Sequence, residues 1–406
     1  MRVAIVGAGI AGLGAARALA GAHDVVLYEA APRAGGHVHT VEVDGLAIDI
    51  GFIVCNRERY PLFFRMLEEL GVTTRPTTMS FSVALPARDL EWGSASLSSL
   101  FAQRRRLLDR RHWRFLADVM RFLGRARRDL ELGRVAGSLD DYVDPQLRDA
   151  FAIPLAAALW STSPDRCGEF PAETFVRFLD QHGMLRALRP LAWHTIEGGS
   201  RRYVDALVAQ LQASGRCELR LATPVTRITR TTGITVVAES RHDRYDRVIL
   251  ATHADTALAL LDDPTDDERR VLGAFRYSTN RTVLHTDRAF LPRSPAAHAS
   301  WNYVADRETS KVAVTYSMTR LQGLPDAPYL VTLNPRSEPH GILHDVTFTH
   351  PQFDAVALAA QSELPRLANT RRTYYAGAHF GFGFHEDGLR AGLAAAARAM
   401  ADGARE

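Results

Sequence analysis

Of the 49 lysines and arginines in this 406-residue sequence, only Lys311 is a lysine. Any chemistry that needs a lysine amine has that one residue to draw on, and a surface position is the ordinary place for it. So complete a preference for arginine reads as coding bias more than as function. Cysteine is scarce too, at three residues: Cys55, Cys167 and Cys217. An odd, scattered set excludes a disulfide framework, contains no CxxC metal spacing, and suits a reducing compartment. Long apolar runs are missing, with nothing near the ~18 residues of a membrane span. Residues 2–6 enter an apolar run at once, without the basic region and apolar core of a signal peptide. A cytoplasmic protein is the expectation, peripheral on the inner membrane face if it meets a membrane. A net charge of +3 gives no general argument for nucleic acid, and no nucleic-acid partner is expected.

What is present begins with length and apolar content. The chain suits two domains, and its 46% hydrophobic content is ordinary for a globular protein. The most informative stretch is residues 1–36. Arg2–Val6 reads as a buried strand, Gly7-Ala8-Gly9-Ile10-Ala11-Gly12 follows, and Leu13 to Ala20 reads as a helix. Val25–Tyr28 is a second strand, ending in Glu29. This is a βαβ unit with the dinucleotide fingerprint in its proper context. Gly7 allows the tight turn, Gly9 lets backbone approach a pyrophosphate, and Gly12 lets the helix pack on the sheet. The helix N-terminus offers free N–H groups and a partial positive charge to phosphate. The Glu29 carboxylate suits both hydroxyls of an adenosine ribose and would repel a 2′-phosphate, which disfavours NADP.

After Glu29 the chain runs Ala30-Ala31-Pro32-Arg33-Ala34-Gly35-Gly36-His37. This resembles the E-x-x-x-R-x-G-G-R signature of the FAD-dependent amine oxidase superfamily. That group includes monoamine and polyamine oxidases, protoporphyrinogen oxidase and phytoene-type desaturases. The resemblance implies FAD as cofactor. It also implies an α/β fold, with a Rossmann-like FAD-binding domain of amine-oxidase type and an interleaved α+β substrate domain. It places cofactor contacts at Gly7, Gly9, Ile10, Ala11, Gly12, Glu29, Ala30 and Arg33, and at Gly35, Gly36 and His37. One departure is plain: His37 stands where the superfamily has arginine, leaving Arg33 as the nearest candidate for a positive charge at the pyrophosphate. For His37 and His39 three roles stay open: polar contact to the cofactor, covalent attachment, or ordinary loop histidines. HxH alone is a weak metal signal, and no metal is expected.

Further along, Asp49-Ile50-Gly51-Phe52 matches a D-x-G turn that, in the superfamily, brings Gly51 and Phe52 beside the flavin ring; an ordinary hairpin is the alternative. Tyr60 to Leu70 reads as a core helix closed by Gly71. Phe81 to Trp92 reads as strands of a second, inserted domain, and Leu139 to Trp160 as a helix broken at Pro145 and Pro154. Ser161 to Pro171 is expected to be a loop, Phe175 to Leu185 a helix, and Trp160, Trp193 and His194 either pocket lining or core. Gly198-Gly199 before the helix Tyr203 to Gln212 matches a second cofactor-domain segment. Leu219 to Ile228 reads as a strand containing Thr223-Pro224-Val225, and the resemblance places the Val225 backbone at the adenine.

The last segment resembles the superfamily's closing motif: strand Thr373–Tyr375, then Ala376-Gly377-Ala378, then a helix from Leu389. Its implied cofactor contacts are Gly377, Glu386, Asp387, Gly388 and Leu389. Ala378 stands where an acid is usual, and Glu386 and Asp387 either cap the helix or approach the ribityl chain. The resemblance sets domain boundaries: 1–75, 190–264 and 366–406 for the FAD-binding domain, and 76–189 and 265–365 for the substrate domain.

Met318-Thr319-Arg320-Leu321-Gln322, Val331-Thr332-Leu333-Asn334-Pro335 and Thr349-His350-Pro351 narrow the likeness to a bacterial branch of NAD/FAD-binding proteins associated with fatty-acid modification. That implies an FAD-dependent oxidoreductase acting on a hydrophobic small molecule or acyl lipid, by desaturation or redox-neutral isomerisation through flavin N5. A peroxide-forming amine oxidase and a flavin-free lipid-binding module are the alternatives; the intact Gly7, Gly9, Gly12 and Glu29 set argues against the last. No catalytic base is assigned, and nothing in the sequence specifies an oligomer. Residues 100–133 hold clustered arginines at helical period. They form either a solvated face of substrate-domain helices or a surface resting on anionic lipid headgroups.

Overall fold

The computed structural model of the chain describes residues 1–160, 167–185, 191–305, 312–325 and 327–404. Lys311, the side chain of Trp160 and much of the expected Ser161–Pro171 loop lie outside the described residues.

Five parallel strands form one sheet, in the order Cys217–Arg220, Asp24–Tyr28 (β2), Arg2–Val6 (β1), Arg247–Leu250, Thr373–Tyr375. Its three inner strands are buried on both faces and read as near-continuous apolar runs, as a covered parallel sheet requires. Helices Ile10–Leu19 (α1), Arg201–Ala213 and His385–Gly403 join one apolar core with Val3, Ile5 and Leu27. A small antiparallel sheet, Val225–Thr229, Ile234–Ala238 and Arg241–Tyr245, shares a second core with Ala4, Val6 and Val26.

The single strand expected over Leu219–Ile228 is thus two, in different sheets. Ala222 sits at φ +48° and Pro224 follows it, so the chain turns between them. The turn is tied down: the N–H groups of Ala222 and Thr223 donate to the carbonyls of Ala31 and Glu29.

A seven-stranded mixed sheet carries the remaining large strands: Ile342–Gln352, Arg276–His285, Leu330–Leu333, Val312–Ser317, Trp301–Ala305, Phe81–Leu85 and Leu90–Gly93. Strands 276–285 and 342–352 pair as a long antiparallel ribbon. One end of this ribbon carries Tyr277, His350 and Pro351 to the edge of the parallel sheet.

Asp49 links the pieces. Its fully buried carboxylate accepts from Thr40 Oγ1, Ser200 N and Oγ, and Gln322 Nε2, so hairpin, helix 201–213 and the Met318–Leu321 turn meet on one group. Burial pushes the Asp49 carboxyl up to about 6 against those donors.

The long arginine-rich helix is Arg110–Glu131. Leu139–Trp160 divides at Pro145 as expected. Pro154 falls at the second position of helix Ile153–Trp160 instead of breaking one, because a π-helical stretch Arg148–Ala152 precedes it. Trp193 is core, its ring stacked on His182, and His194 Nδ1 pairs with Thr74 Oγ1.

Candidate cofactor cleft

A cleft of about 340 Å³ runs along the carboxyl ends of the parallel strands. That edge is where an open parallel sheet binds its ligand. Gly7 follows β1, Glu29 follows β2, Ala251 follows Leu250, and Gly377 lies just past Tyr375; all four line it.

The floor is set by glycines. Gly7 sits at φ +101°, and a Cβ there would stand 2.6 Å from the Ala251 carbonyl oxygen. A Cβ on Gly36, at φ +58°, would stand 3.1 Å from Gly9 Cα. Two backbones therefore meet at van der Waals distance under the cleft, and side chains there would fill it. Ile10 and Ala11, at the start of the 10-residue α1, also line it, and α1 has no acidic residue in its first turn. Their free N–H groups and the helix dipole make this the anion-binding end.

The Glu29 carboxylate accepts from Ala8 N (2.8 Å) and Ala31 N (2.9 Å), which fixes it at the cleft's rim with the glycine turn. Among the described lining residues it is the one carboxylate, and no lysine or arginine is among them. Arg33 turns away: its guanidinium donates to the carbonyls of Val38 (2.6 Å) and Gly36 (3.1 Å) and braces the Gly35–Gly36 loop from behind. Charge on a bound anion is met here by backbone dipoles.

The opposite wall is built of imidazoles and aromatic rings. His37 takes the place of the superfamily's arginine; its Nε2–H donates to the Thr349 carbonyl at 2.9 Å, and its ring stacks on Phe348. His253 stacks on Tyr277 with centroids 4.1 Å apart. The Tyr277 hydroxyl accepts from Ala254 N, which leaves its own proton to donate. Asn280 Nδ2 donates to His350 Nδ1, which leaves the His350 proton on Nε2. His385 opens the C-terminal helix, with its ring on Phe52 (3.9 Å) and Nε2 bonded to the Tyr203 hydroxyl (2.6 Å). His379 is buried and lines the cleft, and its Nε2 has no partner among the described residues.

Burial keeps all five neutral. It lowers His37, pushes His253 and His350 down to about 4, and pushes His379 and His385 down to about 3, with neighbouring cationic or imidazole groups adding to the effect. The wall therefore presents neutral donors and acceptors beside apolar rings.

Of the residues the sequence singled out, Gly7, Gly9, Ile10, Ala11, Glu29, Gly35, Gly36, His37, Gly377 and Gly388 line the cleft. Others shape it from behind. A Cβ on Gly12 would stand 1.8 Å from the Gly7 carbonyl oxygen, and one on Gly51 1.9 Å from that of His37. Phe52 backs His385, and Leu389 packs against Gly14. Ala30 is exposed at the outer side of the Glu29 turn, and Val225 begins the small antiparallel sheet next to it.

Glu386 and Asp387 face elsewhere. The Glu386 carboxylate accepts from Leu62 N (3.0 Å) and Phe63 N (2.9 Å), capping helix Pro61–Glu69 (α2). Asp387 accepts from Phe382 N and Phe384 N and pairs with Arg390. His39 lies in a separate cavity of about 370 Å³ with Arg33 and Val204.

Sequence reasoning passed over Ala251–His253, Tyr277, His379 and His385 as lining. The signal for the first was available: they directly follow a strand of the parallel sheet, at its ligand-binding end. Among the described residues no His/Cys/Asp/Glu group can hold a metal ion, and no helix is long and apolar enough to cross a membrane.

A glycine-floored cleft at the carboxyl edge of a parallel sheet, with a free helix N-terminus and an acid closing β2, defines a dinucleotide-binding flavoprotein fold. The chain belongs to the family of flavin containing amine oxidoreductases, whose sequence model matches residues 10–325. It is an FAD-dependent oxidoreductase, and the Gly9–Gly36 cradle and the unpartnered His379 Nε2 fit that cofactor. Solved structures agree on the fold. A CLA-producing fatty acid isomerase from P. acnes is 18% identical, with 98% of each chain covered and a TM-score of 0.70. Cyclohexylamine oxidase from Brevibacterium oxydans IH-35A is 15% identical over 100% of this chain and 99% of that one, with a TM-score of 0.69. A double mutant of putrescine oxidase is 16% identical over 99% of each, with a TM-score of 0.68. No curated protein sequence matches.

Proposed function

We propose that the chain oxidises or isomerises a hydrophobic substrate, a fatty-acyl lipid, by hydride transfer through FAD. The observation that carries this is the wall of the cleft: five neutral imidazoles with Tyr277 and Phe384, and, among the described lining residues, no carboxylate beyond Glu29 at the rim. An alkylammonium substrate gains from a carboxylate or a desolvating aromatic cage; an acyl chain asks only for apolar surface. The fatty acid isomerase fold neighbour supports the same reading.

In this reading the segments 1–75, 190–264 and 366–406 hold the cofactor, and 76–189 with 265–365 hold the substrate, a division supported by the strand membership of the two large sheets. Gly9, Ile10 and Ala11 receive the pyrophosphate, and Glu29 the adenosine ribose. Gly35, Gly36 and His37 line the path between them and the reacting end, with Gly377 and Gly388 across the cleft. FAD supplies a hydride acceptor, and for isomerisation a hydride donor, at N5. The residues do the rest. The apolar wall excludes water from the C–H bond. We assign His253, stacked on Tyr277 whose hydroxyl accepts from Ala254 N, as the imidazole that takes the proton leaving as a C=C bond forms, or returns it when the bond shifts.

The test is anaerobic mixing of the yellow holoenzyme with free fatty acids, acyl phospholipids and alkyl amines. Bleaching by an acyl substrate, or a shifted double bond in the recovered lipid without net bleaching, supports the reading. Bleaching by amines alone, with peroxide formed on admitting air, replaces it with an amine oxidase. Protein that neither purifies with FAD nor takes it up is a binding module.

A further inference from the structure

Six of the ten exposed large apolar side chains of the described chain fall between Leu97 and Leu132, so the apolar surface is concentrated, not scattered. Leu108 is 92% exposed, Leu97 78% and Trp113 52%. They are held together: Trp113 Nε1 donates to the Leu107 carbonyl (2.9 Å), and Arg104 donates to Ser98 Oγ (2.9 Å). Leu107 and Leu108 end the turn Arg104–Leu108 and lead straight into helix Arg110–Glu131.

Charge around this ledge has one sign. Every acid between residues 97 and 134 is engaged: Asp109 with Arg106 and the N–H of Arg111, Asp118 with Arg121, Asp129 with the Tyr142 hydroxyl, Glu131 with Arg127. Arg110, Arg111, Arg114, Arg128 and Arg134 are exposed and carry no ion pair among the described residues. Net positive charge thus surrounds protruding leucines and a tryptophan whose polar end is already satisfied.

We propose that this face, centred on Leu107, Leu108 and Trp113, docks on an anionic lipid bilayer. The leucines and tryptophan enter the acyl boundary, and the arginines lie along the headgroup phosphates with their stems on the apolar layer. A second copy of the same face would bring five unneutralised arginines against five. A nucleic acid would need open aromatic faces, whereas Trp113 packs against Phe101 at 4.7 Å. This surface stands apart from the cleft and from which substrate the cleft takes.

The test is co-sedimentation of the holoenzyme with vesicles of phosphatidylcholine alone, or with about one quarter phosphatidylglycerol, at low and high salt. Binding is expected to the anionic vesicles and to fall with salt. The triple variant R110E/R111E/R114E should weaken it roughly a hundredfold, each arginine being worth about fivefold at such a surface. Acidic residues suit a helix N-terminus, so this variant keeps its fold and its flavin spectrum. Leu108→Ser, at an exposed position, should weaken binding with flavin and thermal midpoint unchanged. Equal binding to both vesicle types, no binding to either at low salt, tighter binding to single-stranded RNA, or a dimer dissolved by Leu108→Ser would each overturn the proposal.

Discussion

The Tyr203 hydroxyl and His385 Nε2 meet at 2.6 Å and join helix 201–213 to the first residue of helix 385–403. Tyr203 is fully buried, and His385 lines the cleft. Tyr203→Phe leaves an imidazole nitrogen without a partner at a cost of about 1–3 kcal/mol. The expected result is a lower thermal midpoint and weaker retention of FAD on dilution; an unchanged midpoint would show that the pair contributes nothing.

Two glycine-to-alanine changes should act in opposite directions. At Gly12 the new Cβ would stand 1.8 Å from a carbonyl oxygen, so α1 must lift from the glycine turn and Gly12→Ala should purify with little or no flavin. Gly124 lies within helix Arg110–Glu131 with nothing within 4 Å, so Gly124→Ala should stabilise by about 0.5–1 kcal/mol. Flavin-to-protein absorbance ratios and thermal midpoints check both.

Acid should destabilise this protein before most of its carboxylates protonate. Burial pushes His39, His253, His285 and His350 down to about 4, and His182, His379 and His385 down to about 3, from an ordinary 6.5. The unfolded chain takes up these protons first. The stability is therefore full above pH 6.5 and is lost as pH falls from there towards 4. Asp49, raised to about 6, works the other way and favours the folded state as pH drops from 6 towards 3.8; burial raises Glu386 and Asp387 as well, but these are three groups against seven. Thermal midpoints from pH 7 to 4.5 should fall steadily, and a flat profile would contradict the burial of these rings.

Glu386→Ala separates cofactor contact from helix capping. Its carboxylate holds the N–H groups of Leu62 and Phe63 and is turned from the cleft. Loss of this cap should cost about 1–2 kcal/mol. The flavin spectrum of the folded variant should match that of the unsubstituted protein; a shifted spectrum would place Glu386 at the flavin.

The legible part of this chain is its local part. Gly7, Gly9 and Glu29 define a turn whose physics is complete within thirty residues, so the first strand, helix and acid could be read without the fold. The far wall was not legible. His253, Tyr277, His350 and His379 sit in four segments, and only the parallel order of the sheet and the 276–285/342–352 ribbon bring them together. Arg33 and Glu386 show a second limit. Arg33 was read towards the pyrophosphate, and Glu386 as either a cap of its own helix or a ribityl contact; both are used by backbone groups nearby, carbonyls for the guanidinium and the N–H groups of a different helix for the carboxylate. Which unsatisfied backbone lies within reach is a three-dimensional fact.

Helices 10–19 and 385–403 pack almost backbone to backbone. A Cβ on Gly392 would stand 2.0 Å from the Ala11 carbonyl oxygen, and one on Gly388 2.9 Å from Ile10 Cγ2. The fingerprint is thus closed by a helix made nearly four hundred residues after it. At ~5–20 residues per second, the glycine turn waits tens of seconds for its lid. Cofactor capture consequently waits for residues 385–403 to be made, and a nascent chain arrested before residue 385 would expose α1 to chaperones instead of to FAD.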